Sequence, residues 1–98
     1  MIRHIVLFTM TEKTRQEGIE EVVEKIRISL ENMVREIPGL LRAEFNLNMV
    51  KDSSCDMIFY SEFDSLESME IYQTHPVHEA HKQRFEEYVS NPITADLC

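Results

Sequence analysis

The period of the apolar residues changes at Pro38-Gly39, and that change constrains most of what this chain can fold into. Before it, Ile19, Val22, Val23, Ile26, Leu30, Met33, Val34 and Ile37 recur at steps of three and four, the stripe of an amphipathic helix of about six turns over 14–37. After it, Leu41, Ala43, Phe45, Leu47 and Met49 alternate with Arg42, Glu44, Asn46 and Asn48, which predicts a strand with one buried face. Proline drives Ile37 out of the helical region and glycine tolerates the turn that follows, so the helix is expected to stop there. Thr11 and Thr14 both offer a start, and only Thr14 with Glu17 has the form of a capping box.

The remaining segments fall into place around this pair. IRHIVLFTM, residues 2–10, reads as an opening strand, and CDMIFYSEF, residues 55–63, as a strand that pairs with 41–49 as an antiparallel hairpin across the polar turn KDSS, residues 51–54. Ser65 to Thr74 restarts helical spacing with Ser65 as N-cap. Pro76 then opens a second helical piece that runs through Phe85 toward Val89 and breaks at Asn91-Pro92, leaving Ile93 to Leu97 as a short last strand. The order is βαββαβ, an α+β, ferredoxin-like arrangement with a four-stranded antiparallel sheet and its helices on one face. At 98 residues this is a single domain, 1–98.

That arrangement leaves one sheet face uncovered. Ile5, Leu7, Ile58 and Tyr60 have the opposite parity from His4, Met57 and Phe59, and a single helical layer covers only one parity. The simplest cover for a second apolar face is the same face of another copy, so the chain is expected to be a homodimer packed sheet to sheet, a dimeric α/β barrel.

Charge and cysteine content exclude several roles. Eighteen acidic residues against ten basic ones give a formal charge of -8 without a basic patch, so nucleic acid and anionic membrane are not expected partners. Cys55 and Cys98 make neither a disulfide framework nor a zinc ligand set, which fits a reducing, cytoplasmic compartment. MIRHIVLFTM lacks the continuous apolar run and cleavage site of a signal peptide, and no apolar run approaches the ~20 residues of a membrane span.

IRHIVLF at the start, IPGL at the helix end, the block SEFDSLESMEIYQTHPVHEAH and the short closing strand together resemble the stress-responsive dimeric A/B barrel family, over nearly the whole chain. The resemblance implies the ferredoxin-like fold and the sheet-to-sheet dimer reached above from strand parity. The family includes plant stress proteins and a polyketide cyclase that makes olivetolic acid. That cyclase places a strand-one histidine, a tyrosine and a helix histidine around a pocket between sheet and helices, and His4, Tyr72 and His78 match those positions. In the cyclase the tyrosine and the helix histidine are the acid-base pair. Where it carries a further pocket histidine on the third strand, this chain has Met57.

The candidate site is therefore catalytic His78, Tyr72 and His4, with His4, Met57, Phe59, Tyr72 and His78 as ligand-binding residues. His78 stands in the first turn of a helix, where the dipole favours a neutral imidazole able to act as a general base. The Tyr72 phenol suits polarising a carbonyl or donating to a developing enolate. His4 closes the site from the sheet; its structural alternative is a core histidine hydrogen-bonded to backbone or to Tyr72. His75 is expected to cap the Pro76 helix and His81 to face solvent.

Spacing argues against a metal at His75, His78 and His81, because steps of three on one helix turn the outer two side chains about 120° apart. No cofactor or metal is expected. The partners expected are a second copy and a small apolar or aromatic carbonyl compound, with cyclase- or lyase-like chemistry. The alternatives are a non-catalytic stress-response or assembly dimer and a monooxygenase-like enzyme on the same fold. A cavity of roughly 300 Å³ reached by Tyr72 and His78 separates the first of these from the second.

Overall fold

The computed structural model describes residues 1–48, 50 and 53–98; Met49 of the expected strand and Lys51-Asp52 of the expected turn lie outside the described residues. Its elements are β1 (Ile2–Met10), α1 (Glu12–Glu17), α2 (Ile19–Glu36), β2 (Leu40–Leu47), β3 (Met57–Phe63), α3 (Leu66–Thr74), α4 (Pro76–Phe85) and β4 (Val89–Leu97). The sheet runs β2-β3-β1-β4 with every neighbouring pair antiparallel, so the fold is ferredoxin-like as expected.

The α2 stripe forms the centre of the core. Val22, Val23, Ile26, Leu30 and Met33 are all buried, against Val6, Phe45, Met57, Phe59 and Phe63 of the sheet. Each fully buried side chain of this size contributes about 1.5–3 kcal/mol relative to leaving it in water. Glu20 and Glu21 lie in the first turn of α2 and Arg35 in the last, as the helix dipole favours. The helix closes through Ile37 N–H to the Met33 carbonyl, and Gly39, at φ 84°, makes the turn into β2.

Four boundaries differ from the sequence reading. Of the two expected starts the structure uses Thr11, the N-cap residue of a helix that begins at Glu12, rather than a Thr14–Glu17 capping box, and Gly18 at φ 109° divides α1 from α2. Thr14 is instead buried, and its hydroxyl donates to the Tyr88 carbonyl at 2.7 Å, tying α1 to the turn before β4. In β2, a register shift between Leu40 and Arg42 turns Leu41 outward at 52% exposure and buries Leu40 at 3%, so the alternation fails at its first member. β3 begins at Met57 rather than Cys55. β4 begins at Val89, four residues before the expected Ile93. Asn91, at φ 51°, and a register shift opposite Leu7 and Thr9 accommodate Pro92 in an edge strand, where a missing N–H costs no ladder bond.

The register puts His4, Val6 and Phe8 of β1 under the helices and Ile5 and Leu7 on the other side. Opposite Ile5 stand Tyr60 and Ala95, and opposite Leu7 stand Ile58 and Ile93, giving an apolar band across three strands. Among the described residues no helix covers it, and Ile93 is 65% exposed. Among the described residues, no helix is long and apolar enough to cross a membrane.

Candidate functional site

The chain order THPVH breaks one helix into two. His75 leaves helical geometry at ψ 135°, as a residue before proline must, and its Nδ1 accepts the Val77 N–H at 3.1 Å, capping α4 as expected. Pro76 occupies the first position of α4, where its missing N–H is not needed. This junction folds α4 back over the end of α3, so that the His78 ring stacks on the Tyr72 ring with centroids 3.8 Å apart and planes at 22°. His78 Nδ1 is 3.0 Å from the Tyr72 carbonyl, an acceptor, so Nδ1 carries the proton and Nε2 carries the lone pair.

A cavity of about 660 Å³ opens between the sheet and α2 and α4. His4, Phe59, Tyr72 and His78 line it, together with Phe45 and Phe85. Met57, the fifth expected ligand-binding residue, does not: it is fully buried in the core beneath, where a long flexible side chain fills space between sheet and α2. Tyr72 is only 2% exposed, yet among the described residues no hydrogen bond takes its hydroxyl. No fully enclosed side-chain donor or acceptor lacks a partner among those residues, so the hydroxyl reaches the cavity space. Burial pushes the phenol well above its ordinary value, which keeps it a donor at neutral pH.

His78 is displaced the other way. Burial pushes its imidazole below the ordinary value and the Lys82 ammonium adds to this, so the ring is neutral near pH 7. The site thus pairs a neutral base with a neutral phenol in one apolar space, which suits moving a proton beside a carbonyl.

His4 is neither bonded to backbone through its ring nor bonded to Tyr72, whose ring centroid is 6.4 Å away in an edge-on arrangement. It donates from Nδ1 to Asp96 Oδ1 at 2.6 Å. Asp96 is the residue the sequence reading missed. It sits directly across the β1–β4 ladder from His4 and also lines the cavity. The carboxylate fixes the orientation of the His4 ring through Nδ1. The available signal was that Asp96 is the only charged residue of the last strand, but using it required the register.

His81 corrects the expectation of a solvent-facing side chain. Its Nδ1 is 2.7 Å from Ser29 Oγ on α2, it lines the cavity, and burial together with the nearby His78 and Arg84 pushes its imidazole down to about 4. The rings of His75, His78 and His81 are therefore bonded to three different groups, on Val77, Tyr72 and Ser29.

Over residues 2–98 the chain matches the family described as Stress responsive A/B Barrel Domain. No curated protein sequence matches it. Among solved structures, a dimeric protein of unknown function and ferredoxin-like fold from Bacteroides fragilis is similar at 28% identity and TM-score 0.82, covering 98% of this chain and 93% of that one. A family member of ferredoxin-like fold from Mesorhizobium loti is 22% identical with TM-score 0.75, over 99% of this chain and 94% of the other. The hydroxynitrile lyase from Passiflora edulis shares the fold at 12% identity and TM-score 0.77, covering 98% of this chain and 90% of the lyase.

Proposed function

Because the chain belongs to the stress responsive A/B barrel domain family, we propose that it acts as a homodimer, joined through the uncovered sheet face, in which each protomer binds a small apolar or aromatic carbonyl compound between sheet and helices. The observation that carries this is the cavity of about 660 Å³ into which the unbonded Tyr72 hydroxyl opens beside neutral His78. A buried phenol without a protein partner is a costly arrangement unless a ligand or water satisfies it, and a carbonyl oxygen is its natural acceptor. The volume falls within the range of small-molecule sites, and the aromatic walls match an apolar ligand body. Among solved structures of this fold, the Bacteroides fragilis protein is described as dimeric, which supports the assembly. Cys55 and Cys98 are free thiols, which supports a reducing, cytoplasmic setting.

The chemistry within reach is proton transfer next to a carbonyl, of a cyclase or lyase kind. His78 Nε2 takes a proton from a carbon or hydroxyl of the ligand, the bond's electron pair moves toward the carbonyl, and the Tyr72 hydroxyl stabilises the oxygen that becomes negative. His4, held by Asp96, presents a second imidazole from the sheet side.

A thermal-shift screen of small ketones, aldehydes and phenols tests the reading. A compound at about a hundred times its Kd stabilises the wild type by about 2.7 kcal/mol. That shift is expected to shrink in Tyr72→Phe and His78→Ala. Hits that stabilise both variants as much as the wild type would remove the cavity from the account.

A further inference from the structure

The cavity differs in character between its interior and its mouth. The interior is aromatic and apolar, with Phe45, Phe59 and Phe85 around Tyr72 and His78. At the mouth, α4 and its end contribute Glu79, Lys82 and Glu86, and β4 contributes Asp96 from the opposite side. These four are the Asp, Glu, Lys and Arg side chains among the lining residues.

Their charges do not cancel. Lys82 Nζ lies 2.9 Å from Glu79 Oε1, so the single cation of the lining is already paired within α4. Glu86 has no lysine or arginine partner among the described residues, and Asp96, 44% exposed, bonds only the His4 ring. Arg84 lies over the Phe85 ring, 5.4 Å from its centroid, and is not among the lining residues. The chain as a whole carries -8. Carboxylates rimming a low-dielectric cleft focus a negative potential into it, and the aromatic faces inside add to the attraction for a cation. An anion would have to shed its water against that potential. The buried Tyr72 hydroxyl can donate to the oxygen of an uncharged carbonyl, so binding there does not require an anionic ligand.

We propose that this mouth makes the cavity charge-selective: it takes uncharged or cationic carbonyl and aromatic molecules and rejects their carboxylate counterparts. The inference rests on the reading of the cavity as a ligand site and adds the class of ligand. It also places Glu86 and Lys82 outside the chemistry, as opposing controls on what enters.

Three aromatic ketones of one skeleton test it: 4-(aminomethyl)acetophenone, 4-(hydroxymethyl)acetophenone and 4-acetylbenzoate, titrated by protein-observed NMR. At about 0.01 M ionic strength, where charges act over roughly 30 Å, the carboxylate is expected to bind at least about tenfold more weakly than the alcohol, and the amine as tightly or more tightly. At about 1 M salt, with screening over roughly 3 Å, the three affinities should converge. Glu86→Gln should narrow the low-salt gap, and Lys82→Gln, which frees Glu79, should widen it. Both residues are exposed, so both variants should fold. If the carboxylate binds as tightly as the alcohol at low salt while Tyr72→Phe still weakens all three, the ligand site stands and the charge selection is overturned. If no ketone binds and the broader screen gives no hit, the ligand site itself falls and takes the selection with it.

Discussion

A histidine held neutral in a half-buried site resists protonation, and His81 puts a measurable pH dependence into the fold. Its imidazole is pushed from the ordinary 6.5 down to about 4, so between those values the unfolded chain binds a proton that the folded chain does not. Its contribution is fully present above about pH 6.5 and is lost as pH falls through that window, at most about 3 kcal/mol. His78 acts in the same direction. We expect His81→Asn, whose amide can keep the bond to Ser29, to flatten the decline in urea stability between pH 6.5 and 4 relative to wild type. An unchanged slope would mean that the ring is open to water. The same scale shows what single residues reveal in sequence. His75 was legible as a cap because the rule before proline is local. His81 and Asp96 were not, since the partner of one lies on α2 and that of the other across a ladder whose register the sequence does not state.

At the scale of elements, the turns decide how the site is assembled. Gly39 sits at φ 84°, where an added Cβ would overlap Ser68 Oγ and lie 2.5 Å from Ser68 Cβ. Gly39→Ala is therefore expected to destabilise the fold by about 2–4 kcal/mol in chemical denaturation, because it combines a strained backbone with a clash against the start of α3. A loss below about 1 kcal/mol would contradict the close approach. The Pro38-Gly39 stop was legible because it coincides with the change of apolar period. The Gly18 break was not, since the apolar stripe continues past it and the cost of turning there is offset by bonds from Thr11 and Thr14 to the turn at 87–88. Likewise the Leu40–Arg42 irregularity inverts Leu41 without any local signal, and β4 reaches back to Val89 because pairing with β1 outweighs the helical spacing of 85–89.

At the scale of the molecule, the apolar band of Ile5, Leu7, Ile58, Tyr60 and Ile93 was readable as parity in β1 and β3, and it is the surface on which the proposed dimer depends. Ile93 is 65% exposed in the protomer, so Ile93→Arg should leave the far-UV circular dichroism intact while raising the dimer Kd by at least about a hundredfold in sedimentation equilibrium. A wild type that is monomeric at micromolar concentration would remove the dimer. The cavity lies on the opposite side of the sheet, so either claim can fail without the other. The central claim is that Tyr72 offers its buried hydroxyl to a ligand. Its most direct test is a calorimetric titration of the best compound from the screen into wild type and Tyr72→Phe, a substitution that removes one oxygen and keeps the ring stacked on His78. The account predicts one ligand per chain and an affinity reduced by about five- to thirtyfold, the loss of one hydrogen bond of about 1–2 kcal/mol in an apolar site. Equal affinity in the two proteins would contradict it.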